Sequence, residues 1–339
     1  MTDQVDAMGP LSGGAIMADT VSTEKERHAM LVSIVIPCYN SERSIRRVVE
    51  LTHETFEGLD GYECEFVLVN DCSPDNTYQS IQSLARDYPY VKGINLMRNF
   101  GQHNALMCAM NYATGDLILG MDDDLQTHPS QIPAILHKME EGYDIVYGIY
   151  ASSTNKATKN FTSWLNKVSA QVLLGRPKDL ETSNFWVIRR AIRDQVVTYT
   201  NYNPYIQALF GRMTSNIGNV VIEHHKREEG TSNYTLGKLV RLWLSYFNYT
   251  VLPLRLASTI GVVTAGLGFL FGLITLVRKL LNPNMVAGWA SLICIMLFFF
   301  GLILLVLGII GEYLGDIVLS INSTPQYVVR ETVNVDEEA

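Results

Sequence analysis

The chain has 339 residues, 47% of them hydrophobic and 18% charged, with a formal net charge of -8. The apolar content is too high and the charge too low for a disordered chain, and neither a disulfide scaffold nor a collagen-like fibre fits. The acidic balance argues against nucleic acid as a partner, which calls for a basic face. Five cysteines, an odd number with no C-x-x-C pair, read as reduced thiols rather than a zinc site or disulfide framework.

Residues 1–30 carry Pro10, Gly13 and Gly14 and lack a basic stretch followed by an apolar core. They read as a flexible leader, not a signal peptide. The β-branched run 31–36 (LVSIVI) ends at Pro37 and predicts a buried parallel strand. Further strands are predicted at Glu65–Val69, Val91–Leu96 and Asp116–Gly120, with helices near 42–52, 75–87, 102–113 and 129–140. This alternation predicts right-handed βαβ units and a doubly wound α/β sheet. Ligands of such sheets bind outside the carboxyl ends of the strands. Those ends carry Pro37-Cys38-Tyr39-Asn40, Asn70-Asp71-Cys72-Ser73, Arg98-Asn99-Phe100-Gly101-Gln102-His103 and Asp122-Asp123-Asp124-Leu125-Gln126. No G-x-G-x-x-G follows the first strand and no P-loop motif occurs, which disfavours both classical nucleotide sites.

Three adjacent carboxylates, Asp122, Asp123 and Asp124, repel one another unless a cation sits there. Asp122 and Asp124 are two apart, so an extended strand end points them the same way. Oxygen ligands in this pattern suit Mg²⁺ or Mn²⁺, which in such sites bridges nucleotide phosphates and stabilises a departing diphosphate. The pattern predicts a nucleotide-dependent transferase. A solvated acidic loop capping the helix near Pro129 is the plainer alternative.

The segments SIVIPCYN, LVNDCSPDNT, LMRNFGQHNALMCAM, ATGDLILGMDDDLQTHP and EGYDIVYG together resemble the successive motifs of family 2 glycosyltransferases of GT-A fold. The likeness is strongest to the polyprenyl-phosphate branch: dolichyl-phosphate mannose synthases, bactoprenol glucosyltransferases and undecaprenyl-phosphate aminoarabinose transferases. It covers about residues 31–330. It implies that Pro37, Tyr39 and Asp71 hold the base and ribose of a nucleotide sugar, with Arg98, Asn99 and Gly101 bordering that pocket. It implies that Asp122 and Asp124 form a D-x-D pair with Gln126 beside the metal. Arg227 and Ser232 match the segment that closes over the diphosphate, and Asp124 and Glu181 would orient the acceptor. The implied reaction is inverting transfer of a sugar, from a uridine diphosphate donor by preference, to polyprenyl phosphate. That phosphate is ionised near neutral pH, so the work is positioning and charge stabilisation. The relatives imply a homo-oligomer, a homotetramer.

The chain departs from the family pattern at Asn70 (usually Asp), Ser41 (Glu), Asn233 (Lys), Trp186 and Tyr150 (Arg), and Thr324 (Arg). Lys156, Lys159 and Lys226 are candidate replacements for the missing cations. His103 reads equally as a helix-start residue, a nucleotide contact or a catalytic group, and His224 and His225 as strand-end residues.

Leu256–Val277 and Ala287–Ile310 are each long and apolar enough to span a bilayer. Gly261, Gly266, Gly268 and Gly272 suit close helix packing. Two spans return the chain to its starting side, which predicts a plasma-membrane protein with a cytoplasmic catalytic domain. Lys238, Arg241 and Arg255 agree with the positive-inside rule, whereas Arg278 and Lys279 oppose it. Phe161–Leu174 and Leu236–Tyr249 read as amphipathic interfacial helices that bring the site to the lipid. The expected organisation is a leader over 1–30, a GT-A domain over 31–235, an interfacial helix over 236–252, two spans over 253–312 and a cytoplasmic tail over 313–339. Two competing readings keep the fold: transfer to another lipid or glycan acceptor, and a catalytically weak membrane scaffold subunit.

Overall fold

The computed structural model describes residues 29–150, 180–223, 252–281, 288–322 and 324–335. The strands are β1 (Met30–Cys38), β2 (Tyr62–Asn70), β3 (Val91–Leu96), β4 (Leu117–Gly120), β5 (Ile145–Tyr150), β6 (Trp186–Arg189), β7 (Ile217–Ile222) and β8 (Val329–Val333). They form one sheet in the order β7-β5-β6-β4-β1-β2-β3-β8. β1 pairs in parallel with β2 and β4, and β2 with β3, as the first half of the sequence predicts. β6 enters antiparallel between β4 and β5, and β8 closes the far edge antiparallel to β3.

The helices between the first strands are α1 (Ile45–Glu57), α2 (Thr77–Asp87), α3 (Gln102–Tyr112) and α4 (Ile132–Glu140), the last preceded by a 3-10 turn at Pro129–Gln131. Alternation along β1 sends its side chains to two cores. Ile34 and Ile36 pack with Ile45 and Val49 of α1 and Ile81 of α2. Val35 packs on the opposite face with Ala105 and Met107 of α3. Both faces are covered, which is why these strands read as near-continuous Val/Ile/Leu runs. Two further helices, α5 (Arg190–Val196) and α6 (Ile206–Met213), join the second core.

One close approach fixes the strand that leads to the acidic triplet. Trp186 on β6 lies directly opposite Gly120 on β4. A Cβ on Gly120 would sit 2.2 Å from the indole. Trp186 is fully buried and meets Phe210 edge-on, with ring centroids 4.8 Å apart. The Trp186 that departs from the family pattern is therefore a core residue rather than a missing phosphate cation.

The last helices are α7 (Leu252–Leu281) and α8 (Trp289–Ile321). Both are long and apolar enough to cross a membrane, over Ala257–Ile274 and Phe299–Ile321. Their apolar side chains stay uncovered, Phe269 at 76% and Leu304 at 69% exposure. Among the described residues, Gly261, Gly266, Gly268 and Gly272 have no neighbour within 4 Å of an added Cβ.

Gly120→Ala is expected to destabilise the chain by about 1–3 kcal/mol, the usual cost of overpacking a tight core. Thermal unfolding followed by tryptophan fluorescence checks this, because the perturbed indole is itself the reporter.

Candidate active site at the carboxyl ends of the strands

The turns after β1, β2 and β4 meet around a cleft of about 660 Å³. Tyr39, Asn40, Glu42, Arg43 and Arg47 line it from the first turn and the start of α1, Asp75 from the second, and Asp123, Asp124 and Leu125 from the third. Each turn carries one non-glycine residue with positive φ: Asn40 at 61°, Cys72 at 53° and Leu125 at 58°. Asn adopts this region at little cost, whereas a leucine there stores strain that the buried side chain must hold in place. Strain of this kind gathers where backbone has to be re-aimed at a ligand.

Asp123 is the brace between the first and third turns. It accepts hydrogen bonds from the Ser41 hydroxyl and, at 3.3 Å, from the Tyr39 N–H. Burial pushes its carboxyl above the usual range, and the adjacent Asp124 adds to this against the pull of the two donors. Ser41 thus has a structural reason to replace the family's glutamate, since a carboxylate there would face Asp123 with no proton to give.

Asp71 is the second brace, and it is not among the residues that line the cleft. Its oxygens accept from the backbone N–H groups of Phe100 (2.7 Å) and Gly101 (2.8 Å). Burial raises its carboxyl above the usual value, partly offset by those two bonds. Asn99 closes the same loop by donating to the Asp71 carbonyl at 3.2 Å. Gly101, with φ of 92°, then opens α3. Arg98 lies over the Phe100 ring at 4.6 Å.

The other two carboxylates of the triplet have different surroundings. Asp124 faces the cleft and accepts from the Gln126 N–H at 3.1 Å. Asp122 accepts from the amides of Gln102 (2.9 Å) and Asn184 (3.1 Å). Gln207 in turn backs Asn184 at 3.4 Å. Tyr150 stands close to the same group: its phenol is 2.5 Å from the Thr127 hydroxyl. Burial pushes the pKa of that phenol up, and the fields of Asp122 and Asp124 push it further. Among the described residues no three His, Cys, Asp or Glu side chains converge on one point. Asp122, Asp124 and Gln126, the ligands expected from sequence, offer only oxygen. This set fits a hard divalent cation that takes its remaining ligands from phosphate and water.

Of the residues singled out from sequence, Tyr39 and Asp124 line the cleft. Pro37 sits at the end of β1 beneath the turn, and Asp71, Asn99 and Gly101 build the loop behind it. Glu181 is not among the lining residues. Its backbone is pinned to Asn219 of β7, by bonds of 3.2 and 2.7 Å. Arg227, Ser232, His224, His225, Lys156, Lys159, Lys226 and the two interfacial helices lie outside the described residues. Sequence reasoning misses Arg43 and Arg47, the cations of the cleft. Their position just after the first strand's turn is a signal, but an arginine opening an amphipathic helix looks like ordinary surface.

His103 is half-buried, edge-on to Tyr205 with centroids 5.1 Å apart. Its Nδ1 has no hydrogen-bond partner. Burial drops its pKa to about 4, so the ring is neutral at physiological pH and has a structural character.

The cleft lies at the strand ends of a mixed α/β sheet of GT-A type, with Arg43 and Arg47 on one wall and Asp123 and Asp124 on the other. Residues 33–198 match the model of the family described as glycosyl transferase family 2. The chain is 31% identical over 315 residues to an uncharacterized glycosyltransferase, YkcC, of Bacillus subtilis, covering 90% of this chain and 95% of that one. It is 31% identical over 318 residues to the undecaprenyl-phosphate 4-deoxy-4-formamido-L-arabinose transferase of Proteus mirabilis, covering 90% and 94%. A solved structure, glucosyl-3-phosphoglycerate synthase from Mycobacterium tuberculosis with Mn²⁺, uridine diphosphate and glucosyl-3-phosphoglycerate, aligns at 17% identity and TM-score 0.46, over 62% of this chain and 75% of that one. The chain belongs to glycosyl transferase family 2 and is a glycosyltransferase.

The His103 burial predicts a pH dependence. A group whose folded pKa lies below its unfolded value of 6.5 favours folding above that value. Its contribution is lost as pH falls from 6.5 towards about 4. Denaturant unfolding over this window should show a loss of about 2–3 kcal/mol. His103→Gln should flatten that slope.

Proposed function

We propose that the chain transfers a sugar from a nucleoside diphosphate donor, by preference a uridine diphosphate sugar, to undecaprenyl phosphate at the cytoplasmic face of the plasma membrane. The observation that carries the reading is the meeting of Tyr39, Arg43, Arg47 and Asp124 in one cleft at the strand ends. It stands on a chain whose apolar α7 and α8 follow the catalytic sheet. Relatives of matching length bear the undecaprenyl-phosphate transferase name.

In this reading Tyr39 and Asn40 bind the base and ribose, framed by Pro37 below and by the Arg98–Gly101 loop that Asp71 holds. Arg43 and Arg47 meet the diphosphate, with Arg227 and Ser232 closing over it from the segment beyond Glu223. Asp122 and Asp124, with Gln126 beside them, would hold Mg²⁺ or Mn²⁺, which supplies charge stabilisation to the departing diphosphate. The lipid phosphate is already an anion at neutral pH, so its oxygen attacks the anomeric carbon without needing a strong base. In-line attack inverts that centre. The protein's contribution is to align the two reactants and exclude water. Asp124 and Glu181 orient the acceptor. Insertion of α7 and α8 in the bilayer puts the domain beside the tail of its acceptor. Assembly into a homo-oligomer, four copies by the family likeness, belongs to the same reading.

The test is transfer of radiolabelled sugars from a panel of uridine and guanosine diphosphate donors to undecaprenyl phosphate, with full-length protein in detergent. A lipid product that chelator abolishes, and that Asp124→Ala lowers by about 10²-fold or more, is expected for a group stabilising transition-state charge. Donor hydrolysis without lipid product would move the acceptor to another glycan or lipid. No donor turnover would make the chain a scaffold.

A further inference from the structure

The tail beyond the membrane-type helices returns to the sheet and touches the donor side of the cleft through a continuous line of hydrogen bonds. β8 pairs with β3, and Glu331 lies opposite Asn95. Asn95 donates its Nδ2 to Glu331 Oε1 at 3.0 Å. Asn70, the residue before Asp71, donates its Nδ2 to Asn95 Oδ1 at 2.8 Å. The Asn70 Oδ1 accepts from the Ser73 N–H at 3.2 Å, and the Ser73 hydroxyl accepts from the N–H of Asn40 at 3.1 Å. Asn70 and Asn95 are buried, at 3% and 8% exposure.

The sense of this line is fixed at both ends. The carboxylate of Glu331 accepts only, and the backbone N–H of Ser73 donates only. Two carboxamides in series satisfy both ends, each with its NH₂ turned towards Glu331. An aspartate at 70 would still accept from Ser73, but it has nothing to donate to Asn95. Asn95 would have to flip, and its oxygen would then face the Glu331 carboxylate. Glu331 therefore accounts for the amide at a position where the family pattern has an acid.

We propose that Glu331 is a positioning residue of the donor site, acting through Asn95 and Asn70 on the turn that carries Ser73 and Asn40. The inference rests on the cleft's being the donor site. It gives the tail a functional role, because β8 follows α8 directly: Asn201 meets Ser320 at the end of α8 at 2.8 Å, and Gln326 ties the connecting segment to the Tyr199 carbonyl at 2.6 Å. The seating of the membrane-type helix and the shape of the donor turn share one strap.

The test uses the full-length chain with Glu331→Leu, Glu331→Gln, Asn70→Asp and the Asn70→Asp/Glu331→Gln pair. Binding of UDP and of GDP is titrated in the presence of Mn²⁺, and hydrogen exchange is followed over residues 38–44 and 70–76. Glu331→Leu and Asn70→Asp should each weaken nucleotide binding about tenfold and speed exchange in both segments, as expected when one partner of a buried network is lost. Glu331→Gln can still accept through its oxygen and should stay within about twofold. The pair should recover to within about threefold of wild type, because the amide introduced at position 331 can donate to a flipped Asn95. A pair no better than Asn70→Asp alone overturns the proposal, as does Glu331→Leu with unchanged exchange and affinity. A wild-type chain that binds neither nucleotide overturns the donor-site reading and the positioning role with it. That failure is told apart from a failure of the hydrogen-bond line because exchange over 70–76 would still respond to Glu331.

Discussion

The inward turn of Asp123 is the constraint on which the site depends. β4 ends at Gly120, so the triplet lies in a turn, where Asp123 is tied down at the cleft beside Asp124. The ties are the Ser41 hydroxyl and the Tyr39 N–H, and they join the first and third turns across the top of β1 and β4. Without them, three adjacent carboxylates would repel one another and the turns would have no common frame. Asp71 repeats the device one strand over, where it holds the Phe100–Gly101 backbone by two charge-assisted bonds. Two buried acids thus fix the loops. Asp124 lines the cleft beside Asp123, together with Arg43 and Arg47, while Asp122 holds the amides of Gln102 and Asn184.

This division of labour also explains why the chain diverges from its family at particular places. Ser41 suits an acid brace that needs a donor. Trp186 packs over Gly120 and sets the height of β4. Asn70 belongs to the line that runs to Glu331. These residues look like losses of function when each is compared with the family pattern alone. In the fold each satisfies a neighbour, and among the described residues the cleft's cations are Arg43, just before α1, and Arg47 within it.

Much of this is legible in the sequence. The first four strands and four helices follow from β-branched runs, polar strand ends and amphipathic spacing, and they recur within a few residues of their expected bounds. The acidic triplet is legible as a strand-end feature, but Asp123 and Asp124 line the cleft while Asp122 holds Gln102 and Asn184, because the chain beyond Gly120 is a turn and not extended strand. What stays hidden is non-local. The tail segment Val329–Val333 has no periodicity that distinguishes it from a polar tail, and its pairing with β3 crosses the whole membrane-type region. Its place in the pattern marks Asp71 as a site acid, but nothing in that pattern reveals the backbone bonds by which it holds Phe100 and Gly101. The second apolar helix runs on to Ile321, past the charged Gly311–Ile317 stretch, since isolated Glu312 and Asp316 do not break a helix.

The most direct test compares three single variants, Asp122→Asn, Asp123→Asn and Asp124→Asn, by Mn²⁺ binding in the presence of UDP, read by electron paramagnetic resonance, and by thermal unfolding. Asp122→Asn and Asp124→Asn should fold with unchanged midpoints and lose UDP-dependent Mn²⁺ binding at least about tenfold, the cost of removing a ligand from a two-carboxylate site. Asp123→Asn should instead lower the unfolding midpoint. Three variants that behave alike, or an Asp123→Asn chain that loses Mn²⁺ with its stability intact, would contradict the division of roles among these carboxylates.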